Sequence, residues 1–94
     1  MENNNKWLEE HNYYQLKPGS NIYVKDMDLP KVVAKIFIDT SSVGTLGDNW
    51  RHSHGIYSIE NKQKLTNEET EEATTWLLAD ADSDFINYLR SSGQ

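Results

Sequence analysis

Ninety-four residues, a hydrophobic share of 36%, a net charge of −6 and no cysteine describe one small acidic domain. They exclude disulfide staples, thiol catalysis and thiolate metal sites. Residues 1–30 carry three lysines against five acids and residues 31–66 five basic residues against three acids, whereas residues 67–94 carry only Arg90 against seven acids.

That balance opposes direct nucleic-acid binding, because neutralising phosphates draws on surplus Lys and Arg. The longest apolar run falls far short of the roughly 18 residues of a membrane span. Met1-Glu2-Asn3-Asn4-Asn5 lacks the basic-then-apolar pattern of a signal peptide. A secreted domain this small would ordinarily carry disulfides, so a cytoplasmic location is expected. Three Trp, five Tyr and two Phe supply the bulk of a compact core.

In chain order, the asparagine run offers N-caps for a short helix over Lys6–His11, with Trp7 and Leu8 facing inward. Tyr13–Leu16 and Asn21–Val24 then flank Lys17-Pro18-Gly19-Ser20. Pro at the second turn position and Gly at the third form the type II signature, so the two runs read as a hairpin. The polar stretch Lys25–Pro30 reads as a loop.

Val32–Asp39 is the strongest strand pattern: Val32, Ala34, Ile36 and Ile38 share one face, and Lys35, Phe37 and Asp39 the other. It is expected at the centre of the sheet with its Lys35/Phe37/Asp39 face towards solvent, which makes Phe37 a candidate contact in a homodimer or complex. A Ser/Thr/Gly-rich connection over Thr40–Asn49 leads to a further strand at Ile56–Ile59, starting as early as Trp50.

Thr66-Asn67-Glu68-Glu69 matches a capping box and opens a C-terminal helix whose early acids suit the positive end of the helix dipole. At about 100° per residue, Thr74, Leu77, Leu78, Ala81, Phe85, Tyr88 and Leu89 share one sector. The stripe continues through Asp80-Ala81-Asp82-Ser83-Asp84, so one long helix is expected, with a bend near Ala79. Trp76 and Ile86 lie outside the stripe, placed either for packing against loops or the N-terminal helix or for a partner contact. The expected fold is α+β: a small antiparallel sheet of roughly three to five strands, packed against a long C-terminal helix beside a short N-terminal one.

Motifs of chemistry are sparse. His52-Ser53-His54 would place two imidazoles on one strand face, the geometry for a shared Zn²⁺ or Fe²⁺, with Asp48, His11 or Glu60 to complete the shell. No third ligand stands at a recognisable offset, and a polar strand edge explains the pair as well. Asp80, Asp82 and Asp84 open like a calcium loop, but Phe85 occupies the glycine position and Ser91 the bidentate glutamate position. A solvated helix face is the simpler reading of the three. Gly44-Thr45-Leu46-Gly47 has the outline of a backbone-clamping loop without its basic flanks. No nucleophile elbow or opposed carboxylate pair is evident, and no cofactor motif is present.

These readings favour a non-enzymatic accessory or interaction protein that binds a macromolecular partner, a protein rather than nucleic acid or membrane. Its acidic helix, through Glu68, Glu72, Asp80 and Asp84, is the expected contact, with Phe37 as a further one. The rivals are a small metal-binding protein using His52 and His54 and a small-ligand domain using Trp50, Tyr57 and Trp76.

Overall fold

The computed structural model describes residues 5–42 and 53–91. Helix α1 covers Asn5–Glu10 and is closed by Asn12, whose φ of 71° lies in the left-handed region. The Tyr13 amide donates to the Leu8 carbonyl at 2.8 Å and the Asn12 amide to Glu9 at 3.2 Å. This pair of bonds is the Schellman closure, and its apolar partners, Leu8 and Tyr13, both enter the core. Trp7 is half-buried against that core and stacks on His11 at 3.9 Å between ring centroids.

Strand β1 (Tyr14–Gln15) pairs antiparallel with β2 (Ile22–Asp28) across the Pro18-Gly19 turn. Gly19 has a φ of +82°, and the Ser20 amide donates to the Lys17 carbonyl at 2.9 Å, as the type II turn requires. β2 runs through Asp28, so most of the stretch read as a loop is strand. Lys25 and Met27 continue the inner face begun by Tyr23, opposite Ile36 and Ala34. Asp26 and Asp28 point outward and pair with Lys35 and Lys62. A strand with charged residues on one face and a lysine on the other hides its period from hydropathy.

β3 (Val32–Asp39) lies between β2 and β4 (His54–Asn61), which completes a four-stranded antiparallel sheet in the order β1-β2-β3-β4. Val32, Ala34, Ile36 and Ile38 are buried on the inner face, as expected. β4 is longer than the Ile56–Ile59 run, and a bulge interrupts it. Lys35 faces Ser58 while Ile36 faces Ile56, which leaves Tyr57 as the extra residue. Phe37 is half-buried rather than freely exposed, because it stands opposite Gly55 and its ring covers that position. A short 3₁₀ turn over Thr40–Ser42 follows β3; the rest of the Thr40–Asn49 connection, Trp50 and His52 lie outside the described residues.

Helix α2 (Asn67–Ser91) packs across the inner face as a single element. The capping box is made: the Glu69 amide donates to Thr66 Oγ1 at 3.1 Å and the Thr66 amide to Glu69 Oε1 at 3.0 Å. Leu77, Ala81, Phe85, Tyr88 and Leu89 are buried against Leu8, Tyr13, Tyr23 and the β3 residues. Leu78, assigned to the stripe, is instead 44% exposed. By rotation Leu78 falls between the buried Phe85 and Leu89, so its place along the helix rather than its angle leaves it uncovered. None of residues 67–76 is buried, so the first turns of α2 overhang the sheet. Among the described residues no helix is long and apolar enough to cross a membrane.

Candidate functional site

The seven acids of α2 divide into two groups with different surroundings. Glu68, Glu72, Trp76, Asp80 and Asp84 follow one another at four-residue spacing, and each step turns the row about 40° around the helix. The row therefore winds from the outside of the molecule to the inside. Glu68 and Glu72 are exposed, Asp80 is half-buried, and Asp84 is turned beneath the helix. There Asp84 Oδ2 accepts from Lys25 Nζ at 2.6 Å and from the Tyr13 hydroxyl at 2.9 Å. Burial, then the charge of Asp84 and its hydrogen bond, push the Tyr13 hydroxyl well above the ordinary tyrosine range.

Asp82 is also engaged. His54 Nε2 lies 2.5 Å from Asp82 Oδ1, and the imidazole stacks on Phe85 with centroids 4.4 Å apart and planes at 9°. The solvated-face reading of Asp80, Asp82 and Asp84 is thus overturned for Asp84, whereas Asp82 binds His54 while its side chain stays 44% exposed. Asp84, expected in a partner contact, lies on the sheet side of α2. His54, a metal ligand only in the rival reading, has a side chain only 2% exposed and serves the core. Among the described residues no three metal-binding side chains converge.

The outward group is Glu68, Glu71 and Glu72, all exposed on the overhanging turns. Glu69 beside them is bound to Lys31, which reaches across from the β2–β3 turn. That contact, followed by the Thr66 amide, holds the Glu69 carboxyl below its usual range, and the same pair raises the Lys31 ammonium. About one turn beyond Glu72, the Trp76 indole is 63% exposed. It closes one side of a groove of about 330 Å³ whose other walls include Leu29, Pro30, Val32 and Ala73.

This groove was not legible as a site in the sequence. Its only sign was Trp76 outside the apolar stripe; the facing wall comes from a turn more than forty residues earlier. Tyr57 is exposed on β4, whereas Trp76 faces the β2–β3 turn, so the two are not gathered into one aromatic cluster. On the outer face of the sheet, the Tyr14 hydroxyl donates to Asp26 Oδ1 at 3.0 Å and Lys35 binds both. Phe37 sits beside this network, over Gly55. Comparison with protein-family models, curated proteins and solved structures returned no match to the chain.

Proposed function

We propose that this protein is a non-enzymatic interaction protein that binds another protein through the outward face of α2. The observation that carries this reading is the row of exposed Glu68, Glu71 and Glu72 leading to the uncovered Trp76 on a capped helix. A negative field fixed in geometry favours a complementary basic surface and speeds its encounter. A large exposed aromatic ring supplies the apolar contact area on which binding energy concentrates. Asp80 borders this face, and Asp84 supports it from beneath.

The test is affinity capture from the native cell with wild-type protein and with Glu68→Gln/Glu72→Gln, followed by mass spectrometry. Both positions are exposed, so the variant retains the fold. A specific partner captured by the wild type and lost from the variant supports the reading. Capture that is indifferent to the variant removes the acidic face from the function.

A further inference from the structure

We infer that the groove beside Trp76 receives a basic segment of the partner protein, with an apolar side chain seated between Trp76 and the Leu29-Pro30 turn and arginines reaching Glu68 and Glu72. This rests on the protein-binding reading above and adds the chemistry of what is bound.

The groove has two complementary parts. Leu29, Pro30, Val32, Ala73 and the indole of Trp76 form its walls, and its volume of about 330 Å³ takes an anchoring side chain. Carboxylates rise directly beside it. Glu69 is committed to Lys31, whereas among the described residues no ion pair engages Glu68, Glu71 or Glu72. Lys31 and Glu69, which bind each other, and Glu72 rim the slot, and Glu68 and Glu71 follow further along the helix. Three carboxylates beyond the Lys31–Glu69 pair leave a negative surplus that matches a hydrophobic residue flanked by cations. Arginine meets both features, since its guanidinium binds a carboxylate in a fork and stacks on an indole face.

The same charges argue against a second copy of this chain. A two-fold contact places a surface patch against itself, so Glu68, Glu71 and Glu72 would face their own copies. Like charges opposed in this way cost binding energy. Phosphate-rich partners and anionic membrane surfaces are repelled for the same reason, which leaves a basic polypeptide.

The experiment is a ¹⁵N–¹H NMR titration of the intact protein with a blocked pentapeptide in which leucine is flanked by two arginines on each side. The Trp76 indole signal is assigned from Trp76→Phe. The expected result is a saturable shift of the Trp76 indole and of the Val32 and Ala73 amides. Replacing the peptide's leucine by serine, or substituting Trp76→Ala or Glu68→Gln/Glu72→Gln in the protein, is expected to weaken binding about fivefold. Because Trp76 is exposed, the remaining signals of Trp76→Ala report an unchanged fold. Equal binding of the serine peptide, equal shifts with spermine alone, or shifts spread over all acidic positions would each overturn the inference. So would a concentration-dependent shift of the groove without peptide, which would mark a second copy as the occupant.

The two readings fail separately. Capture that depends on Glu68 and Glu72, together with a peptide that leaves Trp76 unmoved, retains the interaction role and rejects this occupant. Capture indifferent to those glutamates rejects the α2 face as the contact and the assignment of a partner segment with it.

Discussion

Asp82 and Asp84 stand two residues apart on α2 yet bind opposite sides of β3: Asp82 meets His54 on β4, and Asp84 meets Lys25 on β2. Two residues along an α-helix are separated by about 200° of rotation, so the carboxylates flank the apolar stripe rather than stacking above one another. Between them Phe85 fills the space over the central strand. Hydrophobic contact is non-directional; the two flanking bonds add direction, fixing how far α2 is rolled and where it lies along the sheet. With its C-terminal half clamped, the N-terminal half of α2 projects Glu68, Glu72 and Trp76 in a defined orientation.

The Lys25–Asp84 pair is mostly out of water, with side-chain exposures of 19% and 18%. Asp84→Ala therefore strands the Lys25 ammonium and the Tyr13 hydroxyl together, and we expect a loss of about 2–3 kcal/mol. Lys25→Met is expected to cost less, because methionine fills the same inner-face position opposite Ile36. A double-mutant cycle by urea denaturation should return a coupling of about 1–2 kcal/mol between the two residues. A coupling near zero would reduce the pair to an ordinary surface contact.

The His54 imidazole is sandwiched into the core by Phe85 and bound by Asp82. His54→Ala removes a ring from a packed site and should cost about 2–4 kcal/mol. Asp82→Asn preserves a hydrogen-bonding oxygen at a half-exposed position and should cost about 1 kcal/mol or less. The loss in His54→Ala is expected to be the same in EDTA and in excess Zn²⁺. A zinc-dependent loss, read as a shift in the thermal midpoint, would restore the metal reading of His52 and His54.

The elements that could be read from the sequence are those in which a single local rule suffices. Val32–Asp39 alternates cleanly because both of its neighbours are strands and one face meets the helix. Thr66 and Glu69 need only each other to declare a helix start. Pro18-Gly19 declares its turn by backbone preference alone. Lys25 reads as part of a loop because its inner-face position depends on Asp84, fifty-nine residues away. Asp84 looked solvated for the same reason, since its partners lie on other elements. The groove at Trp76 exists only once the β2–β3 turn is folded against α2.

Thr66 and Glu69 carry a pH prediction. The Glu69 carboxyl is held below its ordinary value of 4.5, first by Lys31 and then by the Thr66 amide. Between the folded and unfolded values the unfolded chain binds more protons, so stability rises with pH across that interval. The contribution is complete above 4.5 and is lost as pH falls through the depressed folded value. Glu69→Gln keeps an oxygen for the capping box and removes the charge. Its urea midpoint should therefore lie below that of the wild type at neutral pH and approach it as pH falls through the depressed folded value. Thr66→Ala, which removes the cap itself, should cost about 1 kcal/mol at neutral pH. A Glu69→Gln deficit that stays constant with pH would place its origin outside the ion pair.

Gly55 decides how Phe37 is to be understood. Its φ is +157°, and a Cβ built there would lie 3.4 Å from Phe37 Cε1, which is ordinary contact. The steric part of Gly55→Ala is therefore small, and the backbone part dominates, because residues with a Cβ rarely adopt this conformation. We expect Gly55→Ala to cost about 1–3 kcal/mol. The cost should be nearly the same in wild type and in Phe37→Leu, where the ring is gone. A cost that disappears in Phe37→Leu would show that contact with the ring, not the backbone, restricts the position. Phe37→Leu alone tests the partner role expected for this residue. A ring that covers a glycine on the outer face shields the β3–β4 ladder, so its loss should lower stability and leave capture of a partner unchanged. Partner capture lost from a stable Phe37→Leu would instead move the interaction surface from α2 to the outer face of the sheet.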